Sequence, residues 1–221
     1  IMGFYRGPNI VTDGLVFAYD AGSERCYPGS GTTANSLTSS NTGTLTNGVG
    51  FSSSNGGSWE FDGVDDYINI PTSSNLDGFS NASFETWVEP DNTSSYRRIF
   101  DKDGVTCYNI SLNPSSNPYI YVDGSYAQST LLANVDQWNH IIITYDGTNA
   151  RFYKNGAIVD TVSLNQGQIP SNSNDLRIGS NYDSNTSMMN GHIAIAKIYN
   201  QVLTAAEVAQ NFNAQKSRFG L

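Results

Sequence analysis

The sequence predicts an all-β fold, a two-sheet antiparallel sandwich closed by one short C-terminal helix. Aromatic residues make up 12% of the 221 residues, and tyrosine is the commonest of them, which favours half-buried strands. Short apolar–polar alternations recur along the chain between turn residues, as in a sandwich. Because this length suits one such domain, we expect a sandwich over 14–213, an N-terminal arm over 1–13 and a C-terminal tail over 214–221.

The longest apolar strand pattern runs from Trp138 to Tyr145 and contains three consecutive isoleucines, 141–143. An uninterrupted apolar run predicts a central strand that is covered on both faces. Further on, Asn155-Gly156 is a strong signal for a two-residue hairpin turn. The sequence therefore predicts a central strand over 138–145, followed by a hairpin that joins a strand over 151–154 to a strand over 157–162.

One helix is legible near the C-terminus. Thr204 and Glu207 have the spacing of a capping box, so each side chain is expected to bond the other residue's backbone N–H. Val208 and Phe212 are four residues apart and share one helix face. We therefore expect a helix over 205–213 that packs on the sandwich through these two side chains.

The charge of the chain excludes some partners. A formal net charge of −9 disfavours nucleic acid, because binding to phosphate depends on Lys and Arg. No apolar run approaches the roughly 18 residues that predict a membrane helix, so no membrane insertion is expected. Cys26 and Cys107 are the only cysteines. We expect them to be buried free thiols, since free cysteine packs as a small apolar side chain.

Five segments resemble, in order, the laminin-G/pentraxin group of concanavalin-like jelly rolls. They are FDGVDDY (61–67), SFETWVEP (83–90), WNHIIITYDG (138–147), FYKNG (152–156) and GHIAIAKIYNQVLTAAE (191–207). The resemblance implies a jelly-roll sandwich that binds or decorates. The opening segment 7–16 and the closing segment 218–221 are similar to laminin-G-type structural proteins of marine bacteriophages.

The second resemblance implies a surface-displayed, non-catalytic role as a virion decoration, fibre or adhesion protein that binds host glycans. The partners of such a protein would be other virion proteins or further copies of the chain. The protein would lie on the virion surface. The alternative is a calcium-dependent lectin, or a carbohydrate-binding module of a cellular protein. Its location would then be extracellular. A glycoside hydrolase is the minor alternative, because the same jelly roll hosts such enzymes.

The carboxylates that a glycosidase needs are not evident. Glu85 and Glu89 form the best local pair, but on a regular strand they stand about 13 Å apart. Glycosidases hold their two carboxyl groups about 5–9.5 Å apart. We therefore expect no enzyme activity and no required cofactor.

One calcium ion is compatible with the resemblance, because ion sites of the wider family lie in loops at one rim of the sandwich. Calcium prefers carboxylate and carbonyl oxygens from adjacent loops. The candidate ligands are Asp101, Asp103, Asn181 and Asp183. Asp62, Asp65 and Asp66 form a further acidic group, in which Asp65 and Asp66 are expected to order the turn between two strands.

A sugar-stacking surface is the other candidate site. Residues two apart on a strand share a face, which places Tyr119 and Tyr121 together. With Tyr126 and Tyr182 they are candidates for a carbohydrate-binding platform.

The two ends of the chain are candidates for assembly contacts, because aromatic and arginine side chains anchor interfaces. The residues are Phe4, Tyr5, Arg6, Arg218, Phe219 and Leu221. If the tail docks on a neighbouring subunit, removal of 214–221 leaves the melting temperature of the domain nearly unchanged. Ends that fold back onto their own sandwich are the equally weighted alternative.

Overall fold

Two antiparallel sheets, each with eight described strands, face one another in a computed structural model. The structure describes residues 9–103, 105–182 and 186–221. The strands are numbered β1–β16 in chain order. This arrangement confirms the predicted all-β, two-sheet jelly-roll sandwich.

The first sheet has the strand order β14-β13-β12-β7-β16-β5-β4, and β1 also pairs with β16. Its strands are β1 (Leu15–Asp20), β4 (Gly50–Ser52), β5 (Ser58–Asp62), β7 (Ala82–Pro90), β12 (Asn139–Tyr145), β13 (Asn149–Lys154), β14 (Ala157–Ser163) and β16 (Asn190–Tyr199).

The second sheet has the strand order β11-β10-β9-β8-β15-β6-β3-β2. Its strands are β2 (Thr33–Asn35), β3 (Thr42–Thr46), β6 (Tyr67–Ile70), β8 (Arg97–Asp101), β9 (Tyr108–Leu112), β10 (Pro118–Val122), β11 (Ser125–Gln128) and β15 (Leu176–Ile178).

The central strand β12 is buried along its whole length, as its isoleucine run predicts. Ile141 and Ile143 point into the core between the sheets. Ile142 points the other way and packs with Tyr199 and Val208. Strand β12 is therefore covered on both faces, one by the second sheet and one by the C-terminal part of the chain.

The predicted hairpin joins β13 to β14 through Asn155-Gly156. Both residues have positive φ, 49° and 83°, which a type I′ turn requires. Glycine meets this requirement without strain, and asparagine tolerates it better than most residues. The local sequence therefore fixes this turn.

Helix α1 spans Ala205–Gln215 and lies on the outer face of the first sheet. Its capping box is present: the Glu207 N–H donates to Thr204 Oγ1 at 3.3 Å, and the Thr204 N–H donates to Glu207 Oε2 at 2.8 Å. Val208 is fully buried and Phe212 partly buried, and the helix runs two residues beyond the predicted end at residue 213. A 3-10 turn, Lys216–Phe219, follows.

The helix and the outer face of the first sheet enclose a polar cluster centred on Glu85, which is fully buried. The Lys197 ammonium lies 2.9 Å from Glu85 Oε1, and Asn211 of the helix donates to Glu85 Oε2 at 2.7 Å. Asn211 Oδ1 also accepts the Val11 N–H at 2.7 Å, which ties residues 9–13 to the helix. The polar cluster around Glu85 thus joins the sheet, the helix and the N-terminal segment.

Cys26 and Cys107 are both buried free thiols, as expected. Burial raises the pKa of Cys107 to about 12 and that of Cys26 to about 11, so both thiols are protonated and unreactive at neutral pH. Among the described residues, no helix is long and apolar enough to cross a membrane.

Candidate functional site

The outer face of the second sheet carries a row of polar and aromatic side chains across five strands. Neighbouring strands lie about 4.8 Å apart, so the row extends over about 19 Å. In the order β11, β10, β9, β8 and β15, the aligned residues are Tyr126, Tyr121, Asn109, Asp101 and Arg177. The alternation of strand side chains produces the row, because the residues on either side of Tyr121, Asn109 and Arg177 pack into the core.

A second row lies beside the first and is centred on Arg98. Its members across β11, β10, β9 and β8 are Gln128, Tyr119, Ser111 and Arg98. The Arg98 guanidinium donates to Ser111 Oγ at 2.8 Å and to Tyr119 Oη, and it connects the two rows through Asn109 Oδ1 at 2.9 Å. Burial raises the pKa of Tyr119, so its hydroxyl is neutral and can both donate and accept.

The tyrosines form one aromatic wall. The rings of Tyr121 and Tyr126 are nearly parallel, at 13°, with centroids 6.2 Å apart. Tyr119 meets Tyr126 edge-on at 6.4 Å, and Tyr96 meets Tyr119 edge-on at 5.6 Å. Tyr126 is 62% exposed and Tyr96 44%. The wall therefore presents aromatic surface to solvent.

These side chains line a groove of about 480 Å³, which we call the tyrosine groove. Its described lining residues are Tyr96, Arg98, Asp101, Asp103, Val105, Asn109, Tyr119, Tyr121, Tyr126, Gln128, Asn181, Tyr182 and Ser187. The structure thus brings together all four tyrosines that the sequence singled out for carbohydrate binding. Their role in binding stays a prediction.

Tyr182 closes the groove at the β15 side. The Arg177 guanidinium lies 4.3 Å from the ring centroid of Tyr67 and 5.7 Å from that of Tyr182. Its Nη1 donates to the Asn181 carbonyl at 2.9 Å. Arginine stacking of this kind restrains an exposed tyrosine ring, so Tyr182 is held at the rim.

Three of the candidate calcium ligands, Asp101, Asp103 and Asn181, line the groove, but protein groups bind their oxygens. Asp101 Oδ2 lies 2.9 Å from Arg98 Nε. Asp103 accepts hydrogen bonds from Thr106 Oγ1 at 2.8 Å and Asn174 Nδ2 at 3.0 Å. Asn181 Oδ1 accepts from the next backbone N–H at 3.0 Å, and Asp183 lies outside the described residues. Calcium at this rim stays a prediction.

A closer group of carboxylates lies at the turn between β5 and β6. The oxygens of Asp62, Asp65 and Asp66 lie within 4.8 Å of one another, near enough to share an ion. Asp66 is buried and accepts the Asp62 N–H at 3.0 Å, which supports its expected role in ordering the turn. Burial raises the pKa of Asp66, and its two acidic neighbours raise it further.

The C-terminal tail packs on its own domain. The Phe219 ring stacks on Trp87 at 4.0 Å and also contacts Trp138 at 4.7 Å. Arg218 Nη1 lies 2.8 Å from Asp20 Oδ1. These contacts favour the alternative in which the tail folds back onto its own sandwich, and an assembly role for Arg218 and Phe219 stays a prediction. Leu221 is 48% exposed, so a role in assembly stays a prediction for it.

The N-terminal candidates Phe4, Tyr5 and Arg6 lie outside the described residues. The described part of the arm is held by the helix, where Gln210 Nε2 donates to the Asn9 carbonyl at 2.7 Å. The arm therefore also lies against its own domain from residue 9 onward.

The glycosidase candidate Glu85 lies under helix α1, on the face of the first sheet that points away from the tyrosine groove. Its Oε1 is ion-paired with Lys197, and no solvent reaches it. A sugar cannot approach this carboxylate, so Glu85 and Glu89 do not form a catalytic pair.

Sequence reasoning missed several lining residues of the groove, namely Tyr96, Arg98, Asn109 and Gln128. Alternation in β9 offered a signal for Asn109, since it stands between the buried Tyr108 and Ile110. Nothing in the sequence indicates that β8 and β9 lie beside the tyrosine strand β10.

A two-sheet jelly-roll sandwich, with a helix on one outer face and an open groove on the other, defines the class of this protein. A family model described as the concanavalin A-like lectin/glucanases superfamily matches residues 61–209, and the chain belongs to that family. No curated protein matches the sequence.

Solved structures share the fold at low sequence identity. Domain 4 of AbnA, an extracellular GH43 arabinanase of Geobacillus stearothermophilus in complex with arabinotriose, is 17% identical with a TM-score of 0.71, over 90% of this chain and 98% of that one. The binding domain of Paraclostridial Mosquitocidal Protein 1 is 17% identical with a TM-score of 0.72, and the match covers 91% of this chain and 52% of that one.

The botulinum neurotoxin serotype G binding domain is 18% identical with a TM-score of 0.69, over 92% of this chain and 51% of that one. The chain thus spans about half the length of each toxin domain. At these identities the likeness shows the fold alone.

Proposed function

We propose that the chain is a non-catalytic carbohydrate-binding domain and that its ligand lies in the tyrosine groove. The observation that carries this proposal is the aromatic wall of Tyr119, Tyr121 and Tyr126 beside the polar side chains of Arg98 and Asn109. Tyrosine rings offer an apolar face to the C–H side of a sugar, and the polar groups beside them match its hydroxyls.

The comparisons support a binding role at the level of the fold. One structural neighbour is a domain in complex with arabinotriose, and two others are binding domains of toxins. The groove supports a non-catalytic role. Asp101 is ion-paired with Arg98, and Asp103 accepts hydrogen bonds from Thr106 and Asn174, so protein groups already bind both carboxylates.

Replacement of Tyr121 or Tyr126 by alanine is expected to weaken glycan binding about tenfold each, because a central aromatic contact is worth about 1–2 kcal/mol or more. A glycan array would first identify a ligand, and titration calorimetry would then compare the variants. Ile158→Ala is the matched control, since it removes a side chain of similar exposure, 51%, from β14 of the other sheet.

The melting temperature of each tyrosine variant should stay close to that of the unaltered protein, because Tyr126 is largely exposed. Binding that is equal in both tyrosine variants and in the control would place the ligand elsewhere.

We also propose that the domain is displayed on a virion surface, where it serves decoration or adhesion, with other virion proteins or its own copies as partners. The similarity of segments 7–16 and 218–221 to laminin-G-type phage proteins supports this setting. An extracellular, calcium-dependent lectin is the alternative. Mass spectrometry of purified particles is expected to find the chain at a fixed copy number, and its absence from particles would favour the alternative.

A further inference from the structure

The charges in the tyrosine groove are already compensated by the protein. Among the described lining residues, Arg98 is the one cationic side chain. Its Nε lies 2.9 Å from Asp101 Oδ2, and its Nη1 donates to Asn109 Oδ1 at 2.9 Å and to Ser111 Oγ at 2.8 Å. Arg98 is only 14% exposed, so its charge is directed into the sheet and towards Asp101.

The remaining charges around the groove do not favour an anion. Asp103 adds a second carboxylate to the lining. Arg177, beside Asp101 in the row, is held between the rings of Tyr67 and Tyr182. A sugar carboxylate or sulfate in the groove would lose water without gaining an available cation, and it would lie near the like charge of Asp103. The net charge of −9 repels anions at longer range as well.

Uncharged sugars meet no such cost. A hydroxyl both donates and accepts, so it can pair with the hydroxyls of Tyr119 and Tyr121 and with the amides of Asn109 and Gln128. Stacking on the tyrosine wall needs no charge at all.

We infer that the tyrosine groove selects uncharged oligosaccharides and rejects those that carry carboxylate or sulfate groups. The inference rests on the proposed function and narrows its ligand class.

The test compares ligands of equal length: arabinotriose and cellotriose as uncharged probes, and trigalacturonate and a sulfated trisaccharide as acidic probes. An array of longer glycans extends the same comparison between the uncharged and the acidic class. At physiological salt, at least one uncharged glycan is expected to bind ten times or more tightly than any acidic one. Equal or tighter binding of an acidic glycan would overturn the inference and leave the proposed function standing. If no glycan of either class binds, the proposed function itself fails.

Salt supplies a second measurement that needs no variant. Raising the ionic strength to about 1 M shortens the Debye length to about 3 Å. We expect this change to leave the affinity for uncharged glycans unaltered and to improve the weak binding of acidic ones. Weaker binding of an acidic glycan at high salt would show an attractive charge in the groove and contradict the inference.

The variant Asp101→Asn removes the carboxylate that faces Arg98. We expect the affinity ratio of acidic to uncharged glycans to rise about tenfold, because the Arg98 charge is then uncompensated. Asp146→Asn is the matched control: it breaks the 2.6 Å ion pair with Arg151 at a distant hairpin and should leave the ratio unchanged. If Asp101→Asn folds and the ratio does not move, compensation of the Arg98 charge does not cause the selectivity, which would contradict the inference.

Discussion

Replacement of Glu85 by alanine is expected to destabilise the fold by about 3–5 kcal/mol, the usual cost of removing one partner from a buried ion pair. The variant leaves the Lys197 ammonium, 3% exposed, without its counter-ion at 2.9 Å. It also removes the acceptor of hydrogen bonds from Tyr199 and Asn211, which hold helix α1 on the sheet. Denaturant unfolding would measure the change.

Acid supplies an independent measurement of the same carboxylate. Burial alone would raise the pKa of Glu85, but the Lys197 ammonium and the hydrogen bond from His140 outweigh it and hold the pKa at about 2. Because the unfolded carboxyl titrates near its model value of 4.5, stability should fall as the pH drops from about 4.5 towards 2. Burial also lowers the pKa of His140. As the pH falls, this histidine is therefore protonated in the unfolded state before it is protonated in the folded state, which further lowers the stability of the fold in acid.

The variant Glu85→Gln tests whether this loss of stability in acid comes from Glu85. In this variant the fall in stability between pH 4.5 and 2 should be smaller, since no carboxyl remains to be protonated. Glu60→Ala is the matched control, because Glu60 is 46% exposed and should change stability by no more than about 0.5 kcal/mol. A Glu85→Ala variant as stable as this control would show that the cluster contributes nothing net to the fold.

Replacement of Phe219 by alanine is expected to cost about 3–5 kcal/mol, the range for a buried phenylalanine. The ring is 6% exposed and fills the space between Trp87 and Trp138. Removal of residues 216–221 should cost at least as much, because the ion pair of Arg218 with Asp20 is lost as well. Thermal unfolding would show a fall of about 2–4 °C for each kcal/mol.

Leu221→Ala is the control for the tail, since this terminal side chain is half exposed and should leave stability unaltered. An unchanged melting temperature in the truncated chain would support the prediction of a tail that is free to dock on a neighbour. The stacked position of Phe219 argues for the opposite result.

The sequence by itself determined the local elements of this protein. The capping box of Thr204 and Glu207 sets the start of the helix, and the Asn155-Gly156 turn sets a hairpin. Alternation in β10 places Tyr119 and Tyr121 on one face, and that face is the groove. Each of these signals acts between residues at most a few positions apart, so their physics is contained in a short segment.

Only the tertiary structure decided which faces are covered and which side chains meet. Glu85 occupies a polar position of a strand, and the sequence predicted no burial for it. It is buried because helix α1 covers it, and Lys197, 112 residues away, and His140, 55 residues away, compensate its charge there. Likewise Asp101 lies beside Arg177 because β8 pairs with β15, and Phe219 is buried because two tryptophans form its site. Pairing and burial depend on the free energy of the whole fold, which no local pattern contains.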